Sequence, residues 1–348
     1  MKKGIKILFF FGRIFSPLYA VLMRFRAFLY HKDFLRRTTL DVPVVSVGNL
    51  TMGGTGKTPM VLYIAKLFTR RYRTAVISRG YGGKARKEIN IVSDGKSILL
   101  SSHDAGDEPR LLAESLPGIA VLTGARRAAT GRYAVEKMRA QCIIMDDGFQ
   151  HMALNRECNI VLFSASELLG NGRVFPGGPL REPFSALRRA DAFVITGADP
   201  VDSIRSNEFI KHLADSFPGK PVFRGMYRPV GLQKVQETKI ASPENCRELS
   251  FFAFCGIANP ESFHNSLKKE DIAVRELLTF ADHHSFTGKD KDTIERRAAQ
   301  AGCNALVTTA KDYVKLQAFS FQIPLWILKV ELDMEAGFED YLFGKLTH

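Results

Sequence analysis

The chain has 348 residues, 45% of them hydrophobic and 24% charged, and its 49 Lys plus Arg against 36 Asp plus Glu give a net charge of +13. This composition excludes a disordered or collagen-like chain, and five cysteines in such a length exclude a disulfide scaffold. Two domains are expected at roughly 100 to 200 residues each, and the basic excess calls for an anionic partner such as nucleic acid, a membrane surface or a phosphorylated substrate.

Residues 1–37 carry nine basic side chains (Lys2, Lys3, Lys6, Arg13, Arg24, Arg26, Lys32, Arg36 and Arg37) and one acid, Asp33, a local net of +8 that leaves +5 for the other 311 residues. The same segment is apolar, with the run Phe9-Phe10-Phe11 followed by Ile14, Phe15, Leu18, Val21, Leu22 and Phe25. At about 100° per residue on a helix, Lys2, Lys6, Arg13 and Arg24 share one stripe. That is the pattern of an amphipathic helix lying in a membrane interface. A signal peptide is disfavoured, because Arg13 interrupts the apolar region and no A-x-A site follows. A spanning helix is disfavoured, because residues 8–23 are few and an arginine near their middle costs about 3 kcal/mol. A helix packed on the core stays open, and Pro17 predicts a kink.

Beyond this segment, β-branched runs alternate with amphipathic stretches of helical length. Strands are predicted over residues 44–47, 74–78, 119–123, 143–145, 160–163, 192–196 and 222–225, with helices over 58–68 and 125–139. Continuous apolar strands alternating with helices predict a doubly wound, mostly parallel α/β sheet. A polar stretch at 233–247 precedes a second set, with strands over 249–255, 305–309 and 326–330 and helices over 260–269 and 290–301. The expected division is therefore an amphipathic segment 1–37, an α/β core 38–228 and a smaller α/β domain 229–348, the boundary falling between 226 and 240. The cysteines lack a C-x-x-C pair, which argues against a zinc knuckle or redox motif, and Cys142 and Cys255 read as buried hydrophobes. Such usage suits a reducing compartment.

Between the first strand and first helix lies Gly48-Asn49-Leu50-Thr51-Met52-Gly53-Gly54-Thr55-Gly56-Lys57-Thr58-Pro59. Backbone N–H groups of such a turn converge on phosphate oxygens, and the helix N-terminus adds its positive dipole end. Lys57 can reach the β and γ phosphates, and Thr58 can ligate Mg²⁺. The strict G-x-x-x-x-G-K-[ST] pattern wants glycine at Thr51, so the match departs there. A second acidic element is needed near the phosphates, and Asp146-Asp147-Gly148-Phe149-Gln150-His151 supplies it at the end of an apolar strand. A GTPase would require an [NT]-K-x-D motif and a D-x-x-G switch in suitable places. A deviant-loop regulatory ATPase would carry lysine where Met52 stands. Kinase action on a small or lipid acceptor fits better, with Mg²⁺-ATP, an acceptor hydroxyl and a base.

These residues resemble the tetraacyldisaccharide 4'-kinase family, the P-loop kinases of lipid A biosynthesis. The resemblance rests on residues 46–59, Ser78-Arg79-Gly80-Tyr81-Gly82, Gly106-Asp107-Glu108-Pro109, residues 146–151, Pro176-Gly177-Gly178-Pro179-Leu180-Arg181-Glu182 and Phe280-Ala281-Asp282-His283. Thr51 is itself a family trait. The resemblance implies transfer of the ATP γ-phosphoryl group to the 4'-hydroxyl of tetraacyldisaccharide 1-phosphate at the cytoplasmic face of the bacterial inner membrane, giving lipid IVA. It implies that Thr51 to Thr58 bind ATP, that Lys57 stabilises the transferred group, and that Thr58 with Asp146 or Asp147 holds Mg²⁺. Asp107 becomes the base for the acceptor hydroxyl and His283 its orienting partner. Read from the residues alone, Asp107 is a turn or helix-cap aspartate. Arg79, His151, Arg173 and Arg181 are substrate or phosphate candidates, as are Arg126 and Arg127. Lys311 and Asp312 recur in the family pattern without a role. Two other readings compete: a membrane-attached NTPase switch acting on a partner protein, and nucleic-acid binding through residues 1–37, which would be tight and salt-sensitive. With the charge concentrated in an amphipathic arm, a membrane surface and no nucleic acid is the expected pairing.

Overall fold

A computed structural model describes residues 3–197, 203–237 and 239–346, with residues 3–6 and 203 described as backbone alone. Lys2 therefore lies outside the described residues, as do the side chains of Lys3 and Lys6. The chain forms two compact units, Met1–Met226 with Asp333–His348, and Tyr227–Leu332.

In chain order the first unit opens with α1 (Lys3–Gly12) and α2 (Ser16–His31). Then come β1 (Val44–Asn49), α3 (Lys57–Phe68), β2 (Thr74–Ser78), β3 (Asn90–Asp94), α4 (Ser102–Ala105), α5 (Asp107–Ser115) and β4 (Ala120–Thr123). It continues through α6 (Arg127–Met138), β5 (Cys142–Asp146), β6 (Cys158–Ser164), β7 (Ala192–Thr196), α7 (Ser203–Ser216) and the start of β8 (Val222–Lys234). Strand order is β8-β7-β6-β1-β5-β2-β4-β3. Every pairing along it is parallel except β3 with β4. All residues of β1, β2, β4, β5 and β7 are buried, because helices cover both faces, which is why these strands read as unbroken apolar runs. One face packs Leu50, Phe149, Phe163 and Phe193 against Phe209, Leu213 and Phe217, and the other packs Ile77, Leu122 and Met145 against Ala134 and Leu154.

The kink expected at Pro17 is a full break. α1 stops at Gly12 and α2 restarts at Ser16, with Pro17 in its first turn, where its missing N–H costs nothing. Arg13 lies between the helices, so the expected single basic stripe does not run through one helix. One side of the pair is seated on the loop after residue 173. Ser16 Oγ donates to Val174 O at 2.6 Å, Tyr19 meets the Phe175 ring edge-on, and a Cβ on Gly12 would stand 2.2 Å from Pro176 O. The remainder exposes large apolar side chains, among them Phe11, Ile14, Phe15, Leu18 and Phe25. No helix among the described residues is long and apolar enough to cross a membrane.

The second unit holds the rest of β8, β9 (Ile240–Ala241), β10 (Phe251–Cys255), α8 (Pro260–Lys269), β11 (Val274–Thr279), α9 (Gly288–Gln300), β12 (Ala305–Thr309), α10 (Ala310–Leu316) and most of β13 (Leu325–Met334). Its strands run in the order β11-β10-β12-β13, with β10 parallel to both neighbours and β12 parallel to β13. The sequence hid β11 and β3, since each is an edge strand with polar positions mixed among the apolar ones.

The expected third domain, 229–348, is corrected at its end. The last residues return to the first unit as α11 (Phe338–Leu346), where Phe338 packs on Tyr63 and Phe223, Phe343 packs on Phe68, and the Tyr341 hydroxyl donates to Asp191 O at 2.8 Å. Such long-range aromatic contacts leave no local trace in a sequence.

Candidate active site

β1 lies between β5 and β6, so the loop after it leaves the sheet where the strand order reverses. Doubly wound sheets bind their ligands at that point. Gly48 serves a close approach, since a Cβ there would stand 2.6 Å from Phe149 Cβ; the loop and the turn after β5 thus pack backbone against backbone. Gly53 and Gly56 adopt φ of +131° and +79°, open to glycine at little cost. Gly56 caps α3, which places Lys57, Thr58 and Pro59 in its first turn, where N–H groups and the dipole favour an anion. Thr51 is bridged to Leu180 with φ outside the left-handed region, so its position has no need of glycine.

Four hydrogen bonds pin the loop. Met52 N donates to Pro179 O at 2.7 Å, Arg181 N to Leu50 O at 2.8 Å, Gln150 Nε2 to Asn49 O at 2.9 Å, and Thr196 Oγ1 to Thr55 O at 2.9 Å. Thr51 and Thr55 are buried, while Met52, Gly53 and Gly54 face outward.

The acids follow at the end of β5. Asp147 takes a left-handed φ of +49°, and Arg156 steadies the turn by donating to Gly148 O at 2.6 Å. Asp147 sits 3.5 Å from Lys57 Nζ and accepts from Arg181 Nη1 at 2.9 and 3.1 Å. Burial would push its carboxyl up, but Lys57 and Arg181 outweigh burial and hold it below the usual range. Asp146 is fully buried. Its Oδ2 accepts from Ser78 Oγ at 3.2 Å and its Oδ1 is without a hydrogen-bond partner. Burial, then the charges of Glu108 and Asp147, raise its carboxyl to about 7. An orphaned acceptor among three carboxylates is a place that a divalent cation fits. Among the described residues no three His, Cys, Asp or Glu side chains form a protein-only metal cage. Mg²⁺ in phosphoryl-transfer sites uses one or two carboxylates together with phosphate oxygens.

Arg127 is buried at the start of α6 and donates to Ala125 O at 3.0 Å. Burial and Arg79 depress its pKa, while Asp147 and Asp146 raise it. His151 is pushed down to about 4 by burial and then by Arg127, Arg156, Arg26 and Arg79; its Nε2 is buried without a partner, and it is a neutral imidazole at physiological pH. Arg79 is exposed just past β2, and Arg126 pairs with Glu88 at 2.5 Å on the surface. Arg173 contributes its backbone, with its carbonyl accepting from Leu180 N at 3.1 Å, and its side chain is exposed. Asp107 is the first residue of α5, after Gly106, where a Cβ would stand 2.5 Å from Tyr81 O. Lys57, Asp146, Asp147 and Arg181 thus come together, with Arg127 and Glu108 within their field and His151 beside Arg127.

Thr196, Gln150, Ser78 and Glu108 were not singled out from the sequence. Gln150, Ser78 and Glu108 lie inside the motif stretches 146–151, 78–82 and 106–109, whereas Thr196 at the end of β7 carries no local signal.

His283 belongs to the second unit. It adopts a φ of +57°, and its Nε2 lies 3.2 Å from Lys311 Nζ. His284 turns the other way, stacking on Phe280 at 4.7 Å with its Nε2 3.1 Å from Asp290 Oδ2.

The family model described as "LpxK: Tetraacyldisaccharide-1-P 4'-kinase" matches residues 8–347. The chain belongs to this family. Curated tetraacyldisaccharide 4'-kinases are similar over nearly the whole length. That of Desulfotalea psychrophila is 45% identical over 97% of this chain and 96% of its own, and that of Syntrophus aciditrophicus is 41% identical over 92% and 87%. Among solved structures, LpxK from Aquifex aeolicus in complex with ATP is 33% identical with a TM-score of 0.77, covering 95% of this chain and 97% of that one. Membership in the tetraacyldisaccharide 4'-kinase family makes the chain a phosphotransferase, a kinase of lipid A biosynthesis.

Proposed function

We propose that the chain binds Mg²⁺-ATP at residues 51–58 and transfers its γ-phosphoryl group to the 4'-hydroxyl of tetraacyldisaccharide 1-phosphate, giving lipid IVA. The observation that carries this reading is the convergence of Lys57, Arg181 and the Asp146-Asp147 pair at the mouth of a glycine loop on the central strand. The bond from the γ phosphorus to its bridging oxygen breaks, and a bond from the acceptor oxygen forms. The hydroxyl proton passes to Asp107, and ADP leaves. Lys57 counters the charge that spreads over the transferred group, a contribution typically worth about 10² to 10³ in rate. Thr58 and Asp146 would hold Mg²⁺, which neutralises phosphate charge when bound. Asp147 serves more as the anchor of Lys57 and Arg181, since both cations already occupy it. Arg79, Arg127 and Arg173 are proposed for phosphate groups of ATP or acceptor, and His151 for a neutral hydrogen bond. His283 is proposed to support Asp107 in the reacting complex.

The acceptor is a lipid, and the exposed apolar side chains of α1 and α2 support attachment to an anionic leaflet at the cytoplasmic face of the inner membrane. The test is transfer from labelled ATP to the lipid acceptor in detergent. Transfer that is lost by about 10² or more in Lys57→Ala and in Asp107→Ala is expected. Ready ATP hydrolysis without transfer would instead favour an NTPase switch, and near-normal turnover in Asp107→Ala would falsify its role as base.

A further inference from the structure

Lys311 and Asp312 have no part in the chemistry above, yet Asp312 is completely buried. Its Oδ2 accepts from Gly256 N at 2.9 Å and from Thr309 Oγ1 at 2.8 Å, and its Oδ1 stands 3.0 Å from Lys315 Nζ. One carboxylate therefore ties the end of β10 to the end of β12 and the first turn of α10. Thr309 also caps that helix by accepting from Asp312 N at 3.1 Å. Lys311 is the second residue of α10, so its stem leaves a turn that is fixed from inside.

We propose that Lys311 is a positioning residue for His283, holding the imidazole in the tautomer that carries its proton on Nδ1. Lys311 Nζ reaches His283 Nε2 at 3.2 Å and Asp282 Oδ1 at 3.1 Å. An ammonium has three donors and no acceptor, so the ring nitrogen facing it must present its lone pair. Asp282 Oδ2 stands 3.9 Å from Nε2, too far for a competing hydrogen bond that would hold a proton there. Asp282 Oδ1 also accepts from His283 N at 3.0 Å, which joins backbone, carboxylate and ammonium in one small ring of contacts. The loop around them is clamped by Phe280 N donating to Cys255 O at 2.8 Å and by the stacking of His284 on Phe280. These contacts hold His283 in its left-handed backbone conformation. A proton on Nδ1 makes that nitrogen the donor, as a partner for a carboxylate base must be. This last step rests on the role proposed for His283.

Long-range ¹H–¹⁵N spectra of the full-length ¹⁵N-labelled protein read the tautomer directly, with His283→Gln identifying the signals. The wild type should show His283 protonated on Nδ1. Lys311→Met should shift the ring toward Nε2–H and lower kcat for phosphoryl transfer about tenfold, a cost of about 1.4 kcal/mol, with KM for ATP unchanged; Lys311→Arg, still a pure donor, should restore both. An unaltered Nδ1–H tautomer in Lys311→Met would overturn the proposal. Because the spectrum is independent of turnover, a tautomer shift alongside full activity of His283→Ala would remove His283 from the reaction and leave the placement of Lys311 intact.

Discussion

Arg181 and Asp147 are joined through a single guanidinium nitrogen, Nη1, which lies 2.9 and 3.1 Å from the two carboxylate oxygens. The backbone of the same arginine donates to Leu50 O. One residue therefore both anchors the phosphate loop and sets the charge beside Lys57. Charge-assisted hydrogen bonds contribute about 1.5 to 3 kcal/mol, so Arg181→Ala is expected to lower kcat/KM for ATP roughly tenfold or more. Arg181→Lys should recover much of it, because the pairing is made through one nitrogen, which an ammonium can supply. Unchanged kcat/KM in Arg181→Ala would show that the pairing has no bearing on turnover.

Thr196 reaches the loop from the far side. Its hydroxyl is buried, donates to Thr55 O at 2.9 Å and lies 3.2 Å from Phe163 O. Thr196→Val keeps the shape and removes the donor, leaving a buried carbonyl unsatisfied at about 1 to 3 kcal/mol. A lower denaturant midpoint with an unchanged slope is expected, together with weaker ATP binding. Equal midpoints would mean that water replaces the hydroxyl without cost.

His151 gives a pH signature. Its folded pKa is near 4, below the 6.5 of an unfolded histidine. Between those values the unfolded chain binds a proton that the folded chain does not, so stability is full above about pH 6.5 and is lost as pH falls toward 4. His151→Gln should flatten that part of the stability curve, measured as the difference between the two proteins so that common carboxylate titrations cancel. Parallel curves would show that the ring titrates alike in both states.

The helices α1 and α2 require substitution rather than truncation. Deleting them would uncover the surface on which Phe9, Ser16 and Tyr19 are seated. Phe11, Ile14 and Leu18 are exposed by 67%, 81% and 62%, so changing all three to serine removes apolar surface without touching the docked side. At about 1.5 to 3 kcal/mol per large apolar side chain buried, cosedimentation with anionic vesicles should fall at least about tenfold while ATP binding is retained. Undiminished cosedimentation would place the attachment surface elsewhere.

Local chemistry determined much of this protein. Unbroken apolar runs at β1, β2, β5 and β7, each followed by a loop or helix, require a parallel sheet covered on both faces, and a glycine turn ending in Lys57-Thr58 at the first helix is a phosphate-binding geometry by itself. The motif stretches led to the family from sequence alone, because backbone approach at Gly48 and charge at Asp146 and Asp147 depend on residue type. What the tertiary structure decided is how those charges are shared. Asp146 and Asp147 are adjacent and chemically identical, and nothing in their order says that one is buried against Ser78 with an oxygen to spare while the other is held by Lys57 and Arg181. The returns of α11 to α3, of Thr196 to the loop and of Lys311 to His283 were equally invisible. Each depends on a contact between distant segments, whose closeness is set by the packing of a whole sheet and leaves no periodic mark in the chain.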